Sequence, residues 1–169
     1  LDVLSAEDAV TASMKDAPWR FGIEHDVNWT METHGSWTEE DGMRVWRLGV
    51  QAEGATSWSF YLSRFVVPKG GELFVWDGGR THFMGAFNHL NVKEWEGLAL
   101  SVMEGSDVVL EYREPLNIHA TGEIEVAQVV QGYRSLLRRE AELQAEMSAA
   151  GPFGNLSLIH ISEPTRPLD

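Results

Sequence analysis

An antiparallel β-sandwich is the fold class this sequence predicts, and three observations predict it. The stretch from Trp58 to Tyr112 is made of short aromatic and β-branched runs. Gly, Pro and Asp cut those runs at short intervals, as at Pro68-Lys69-Gly70-Gly71 and Asp77-Gly78-Gly79-Arg80. Within several runs apolar and polar residues alternate, the period of a half-buried strand rather than of a helix. Many short strands with closely spaced turns fold as two packed sheets, of jelly-roll or immunoglobulin-like type.

The chain has 169 residues, which fits one domain plus an appendage. Hydrophobic residues make up 43%, enough for a core, and seven Trp, seven Phe and three Tyr supply much of its volume. The formal charge of −13 comes from 26 acids against 13 bases spread along the chain. Such a surface repels a phosphate backbone, so nucleic acid is not an expected partner. There is no cysteine, hence no disulfide and no thiolate chemistry. No run approaches the roughly 18 apolar residues of a membrane span.

Taken in order, residues 1–18 read as an arm or helix, because Ser5-Ala6-Glu7-Asp8 has the spacing of a helix cap and Val10 and Met14 follow at helical separation. The sandwich is expected over 19–134. Trp19 to Trp29 alternates, with Phe21, Ile23, His25, Val27 and Trp29 on one face, so His25 points at the core or its rim. Glu40-Asp41-Gly42 signals a hairpin, followed by a strand with Trp46, Leu48 and Val50 on one face. Glu39, Glu40 and Asp41 lack the spacing that wraps a calcium ion and read as a solvated turn.

Ser57 to Val67 is the longest strand expected. Trp58, Phe60 and Leu62 share one face, and Ser59, Tyr61, Ser63 and Phe65 the other. Further strands are expected at Leu73–Trp76, His82–Phe87, Leu98–Met103, Asp107–Tyr112 and Glu123–Val130. Asn88–Gly97 forms a polar loop holding Trp95. Alternation in the last strand puts Ile124, Val126 and Val130 together, opposite Glu123, Glu125, Ala127 and Val129. The expected total is eight or nine strands. Beyond Tyr133 the composition turns to helix formers, and 135–150 reads as a helical spacer ended by Gly151-Pro152.

The search for chemistry assigns no catalytic, cofactor-binding or metal role to any residue. The strained Gly-x-Ser-x-Gly turn that exposes a nucleophile is absent, and Ser106 lies in an expected hairpin turn with no nearby His. A metal would need convergence of His25, His34, His82, His89 or His119, whose spacing matches no zinc motif. Paired glycosidase carboxylates cannot be ranked among so many acids. Trp37, Trp76 and Trp95 are candidates for a sugar-stacking platform, set against the commoner role of aromatics as core.

Several motifs occur in a particular order: Trp19-Arg20-Phe21-Gly22-Ile23-Glu24-His25, Arg44-Val45-Trp46-Arg47-Leu48-Gly49-Val50, Phe65-Val66-Val67-Pro68-Lys69-Gly70, Leu73-Phe74-Val75, Thr81-His82-Phe83-Met84-Gly85-Ala86-Phe87, Val109-Leu110-Glu111-Tyr112-Arg113-Glu114-Pro115 and Gly132-Tyr133-Arg134. Over about residues 19–155 the chain resembles the non-catalytic N-terminal region of secreted trypsin-like serine peptidases of the lysyl-endopeptidase type. The resemblance implies an extracellular location and a pro- or accessory role beside the chain's own downstream peptidase domain. It implies that 151–155 leads toward that domain, and none of the family's catalytic His, Asp or Ser has a counterpart here. Leu158-Ile159-His160-Ile161-Ser162-Glu163-Pro164-Thr165-Arg166-Pro167 resembles translated sequencing-adapter read-through, so 156–169 is expected to be an artefactual tail and the record truncated before the enzyme. The alternative reading is a carbohydrate- or protein-binding module that uses exposed Trp.

Overall fold

The computed structural model describes residues 20–117, 121–135, 140–141 and 143–145. Two compact units divide the chain at Ser135/Leu136. In the second unit, Glu140, Ala141 and residues 143–145 are helical. The arm at 1–18, His119, the linker and the tail lie outside the described residues.

The first unit is the expected sandwich, with two five-stranded antiparallel sheets. The strands are β1 (Gly22–Thr30), β2 (Ser36–Glu40), β3 (Met43–Gln51), β4 (Ser57–Val66), β5 (Glu72–Asp77), β6 (Phe83–Phe87), β7 (Leu98–Ala99), β8 (Met103–Glu104), β9 (Asp107–Pro115) and β10 (Glu123–Gly132). The first sheet runs β1-β10-β4-β7, with β8 also on β4, and the second runs β2-β3-β9-β5-β6. Without the β2 hairpin and β8, this is jelly-roll connectivity: the long strands alternate between sheets, and the first pairs with the last.

The hairpin at Asp41-Gly42 forms because both residues adopt positive φ, 49° and 78°, which matches the twist of the flanking strands. Gly70, at φ 97°, serves the Pro68–Gly71 turn, where Gly71 N donates to Pro68 O at 2.9 Å. The core lies between the sheets. Trp46, Leu48 and Val50 enter it from β3, Trp58, Phe60 and Leu62 from β4, and Leu73, Val75, Leu110 and Tyr112 from the second sheet. Trp46 is fully buried, and its indole N–H donates to His34 O at 2.8 Å.

Five expectations change. Phe65 is in the core and not on the Tyr61 face, because Leu62 pairs with Val126 and Arg64 with Glu125, leaving Ser63 as an extra residue that resets the alternation. A second irregularity, at Ala127, turns Val129 inward and Val130 outward. Leu98–Met103 is two short strands, β7 and β8, and not one. The Ser106 turn joins β8 of the first sheet to β9 of the second, so it is a crossing between sheets rather than a hairpin. Among the described residues the strand count is ten, where eight or nine were expected.

Candidate functional site

Three regions concentrate chemistry, and each holds one of the three tryptophans singled out in the sequence. The outer face of the second sheet holds Trp76. Strand pairing lines up Arg47 with Glu111 and Glu111 with Phe74, and a second row brings Trp76 opposite Val109. Trp76 packs on Phe83 with centroids 4.7 Å apart, and Phe74 meets Phe83 edge-on at 5.9 Å. Two guanidiniums of this chain cover the rings: Arg80 lies 5.5 Å from the Trp76 ring centroid and Arg113 lies 5.4 Å from that of Phe74.

Glu111 sits at the centre of this face with no exposed surface. Arg47 Nε donates to it at 2.6 Å, Arg80 Nη2 at 2.5 Å, and Arg113 through Nε at 2.8 Å and Nη2. Burial alone would raise the Glu111 carboxyl, but the hydrogen bonds from Arg47, Arg80 and Arg113 outweigh it and hold it at about 2. Arg47 also grips Glu40, whose carboxyl is drawn down to about 2, chiefly by that hydrogen bond. Arg80 can reach Glu111 because Asp77 ties the β5–β6 turn, accepting from the backbone N–H of Thr81 at 2.7 Å and of His82 at 2.8 Å. Charge here is matched within the chain.

The second region is a cleft of about 620 Å³ at one end of the sandwich, lined in part by Met31, Trp37, Arg44, Arg64, Gly122 and Glu125. Trp37 is half-buried, edge-on to Tyr112 at 6.2 Å, with Arg44 lying 4.3 Å from its ring centroid. Beside the cleft, Glu114 is fully buried and accepts from Tyr112 Oη and Gly122 N, both at 2.9 Å. Burial, then the neighbouring Glu114 charge, pushes the Tyr112 phenol far up, so it stays protonated and donating.

The third region is the outer face of the first sheet. Trp95 projects from the loop before β7 and is 71% exposed, while Tyr61 on β4 is 45% exposed. Both border Gly97, where an added β carbon would lie 3.1 Å from Trp95 Cδ1 and 3.2 Å from Tyr61 Oη. Tyr61 pairs across the sheet with Gln128, and Gln128 with Asp26. Gln128 Nε2 donates to Asp26 Oδ1 at 3.4 Å. Neither ring has a stacking partner or covering cation among the described residues.

The described histidines do not converge. His25 is exposed at the rim of the inner face, its Nε2 3.2 Å from Gln131 Oε1. His34 contacts Thr33 and stacks loosely on Trp29, His82 contacts Thr81 and lies near Asp77, and His89 opens a short 3-10 turn. Among the described residues no three metal-ligating side chains gather. Sequence reasoning found the tryptophans but missed the arginine cluster around Glu111 and the Asp26–Gln128–Tyr61 row. Both depend on cross-strand register, and the only local signal was charge alternation within β3 and β9. No known family model matches the chain, and no solved structure matches it.

Proposed function

We propose that the sandwich is a non-catalytic accessory or pro-domain of a secreted serine endopeptidase of the lysyl-endopeptidase type, aiding folding, latency or positioning of the enzyme. The observation that carries this reading is the closure of the sandwich. Gly22 pairs with Gly132, and Tyr133 N and Arg134 N donate to Phe21 O at 2.9 and 3.3 Å. The chain therefore leaves the domain beside the point where it entered, an arrangement suited to a self-contained module attached to a larger protein. The residues behind the family resemblance occupy the frame: Arg44–Val50 in β3, Leu73–Val75 in β5 and Val109–Pro115 in β9.

The test compares a peptidase carrying this domain with the same protein lacking it. The expected outcome is unchanged kcat on a short peptidyl-lysine substrate, with loss of secreted yield, latency or retention on an insoluble substrate. The domain alone should hydrolyse nothing; turnover blocked by a serine-reactive inhibitor would overturn the reading. A second reading, a binding module in its own right, is favoured by one observation, the uncovered Trp95 ring beside Tyr61.

A further inference from the structure

We propose that the outer face of the first sheet binds neutral pyranose chains, with Trp95 and Tyr61 as stacking rings and Asp26 and Gln128 as hydroxyl partners. This rests on the binding-module reading and names its ligand class. The backbone that carries Trp95 is tied down beside it. The residue after it, Glu96, accepts from Phe65 N through its carbonyl at 2.5 Å, and its own N–H donates to Lys93 O at 2.9 Å. Its carboxylate is gripped by Arg64, which also holds Glu123. A fixed backbone at this point lowers the ordering cost of binding through the ring.

The chemistry of the face selects the ligand. The C–H side of a pyranose is apolar and weakly positive, and stacks on the negative face of an aromatic ring. Its hydroxyls need paired donors and acceptors at the edge of the stack. Gln128 supplies an amide carbonyl and N–H, and Asp26 a carboxylate that accepts from hydroxyls. Among the described residues the two side chains share one hydrogen bond, from Gln128 Nε2 to Asp26 Oδ1 at 3.4 Å, which leaves the amide carbonyl and one carboxylate oxygen available. The row from Asp26 to Tyr61 crosses three strands, about 10 Å, long enough for more than one ring.

Charge separates neutral sugars from anionic ones. Glu24 and Asp26 are exposed on β1 and Glu94 is exposed beside Trp95, while Glu96 is paired with Arg64, in a chain of net charge −13. Uronate or sulfated chains would meet like charge at both ends of the row. A cationic protein segment would find the same acids attractive. The hydroxyl-matching amide and the two exposed rings favour the sugar.

The experiment is affinity electrophoresis of the full chain in gels containing soluble neutral β-glucan, alginate or denatured casein, with thermal melts to verify folding of each variant. Retardation is expected in β-glucan and not in alginate. Trp95→Ala should weaken it about tenfold or more, Tyr61→Ala severalfold, and Gln128→Ala about threefold. Absence of retardation in β-glucan, or equal retardation of Trp95→Ala, overturns the proposal. Retardation by casein alone that depends on Trp95 also overturns it while leaving the binding-module reading standing. Trp95-independent behaviour in all three gels removes both.

Discussion

Trp76 and Trp95 lie on opposite outer faces of one sandwich and meet opposite surroundings. Trp76 is flanked by Phe74 and Phe83 and covered by Arg80, which reaches on to a buried carboxylate. Trp95 stands 71% exposed with no ring or cation over it among the described residues. One face has consumed its binding capacity internally, and its guanidiniums and rings contribute to the sheet. The other keeps two rings, an amide and a carboxylate facing solvent. Aromatic content therefore does not identify a binding face; what covers the rings does.

The sharpest way to break this comparison is to remove the centre of the covered face. Glu111 has no exposed surface and collects three arginines, so Glu111→Ala would leave Arg80 and Arg113 without the carboxylate they share, beside an Arg47 that keeps only Glu40. A loss of about 3 kcal/mol is expected from urea denaturation. A loss below about 1 kcal/mol would mean that the arginines rehydrate freely and the face is not one unit.

Acid should expose the same centre. The folded carboxyl of Glu111 lies near 2 against an ordinary 4.5, so between those values the unfolded chain binds more protons than the native one. Its contribution is complete above about pH 4.5 and fades as pH falls toward 2. Stability measured across that window should fall less steeply in Glu111→Gln than in the parent. Asp77, also held near 2, chiefly by the Thr81 hydroxyl and then the His82 N–H, acts over the same range, so the difference between the two proteins is the informative quantity. Parallel acid limbs would remove Glu111 from the account.

Trp76→Ala comes next. The ring is half-buried, so the loss should be about 1–2 kcal/mol, below that of a fully buried tryptophan. Thermal melts of this variant should show the Phe74–Phe83 face loosening, with no change in any ligand retardation.

How much of this contrast was readable in the sequence follows from what each feature depends on. Turn residues act locally, so Glu40-Asp41-Gly42, Pro68–Gly71 and Asp77–Arg80 were legible, and with them the sandwich. The faces of β3 were legible because that strand keeps strict alternation from Trp46 to Val50. In β4 and β10 one extra residue each, at Ser63 and Ala127, moved Phe65 and Val129 into the core and Val130 out of it. A bulge arises from pairing with a neighbour far along the chain, and no local pattern announces it. The candidate rows on both outer faces depend on the same long-range pairing: Gln128 meets Tyr61, and Glu111 meets Arg47, only once register is set. Of three tryptophans equally eligible by type, only tertiary cover distinguished Trp95.

The smallest stability effect is the most discriminating. Trp95→Phe removes a ring that touches little, so its melting point should match the parent within the change expected of about 0.5 kcal/mol. Its fluorescence should change more. Trp46 and Trp58 are buried and Trp76 is shielded by Phe83 and Arg80, whereas Trp95 is open to a dissolved quencher. Iodide should quench an accessible fraction in the parent that is smaller in Trp95→Phe and retained in Trp76→Phe. The chain's net charge of −13 repels iodide, so acrylamide, which is neutral, should quench that fraction more efficiently than iodide does, and the gap should narrow at high salt as the field is screened. If the accessible fraction survives in Trp95→Phe and disappears in Trp76→Phe, the assignment of the two faces is reversed. The ring available to a ligand would then be the one beside Arg80.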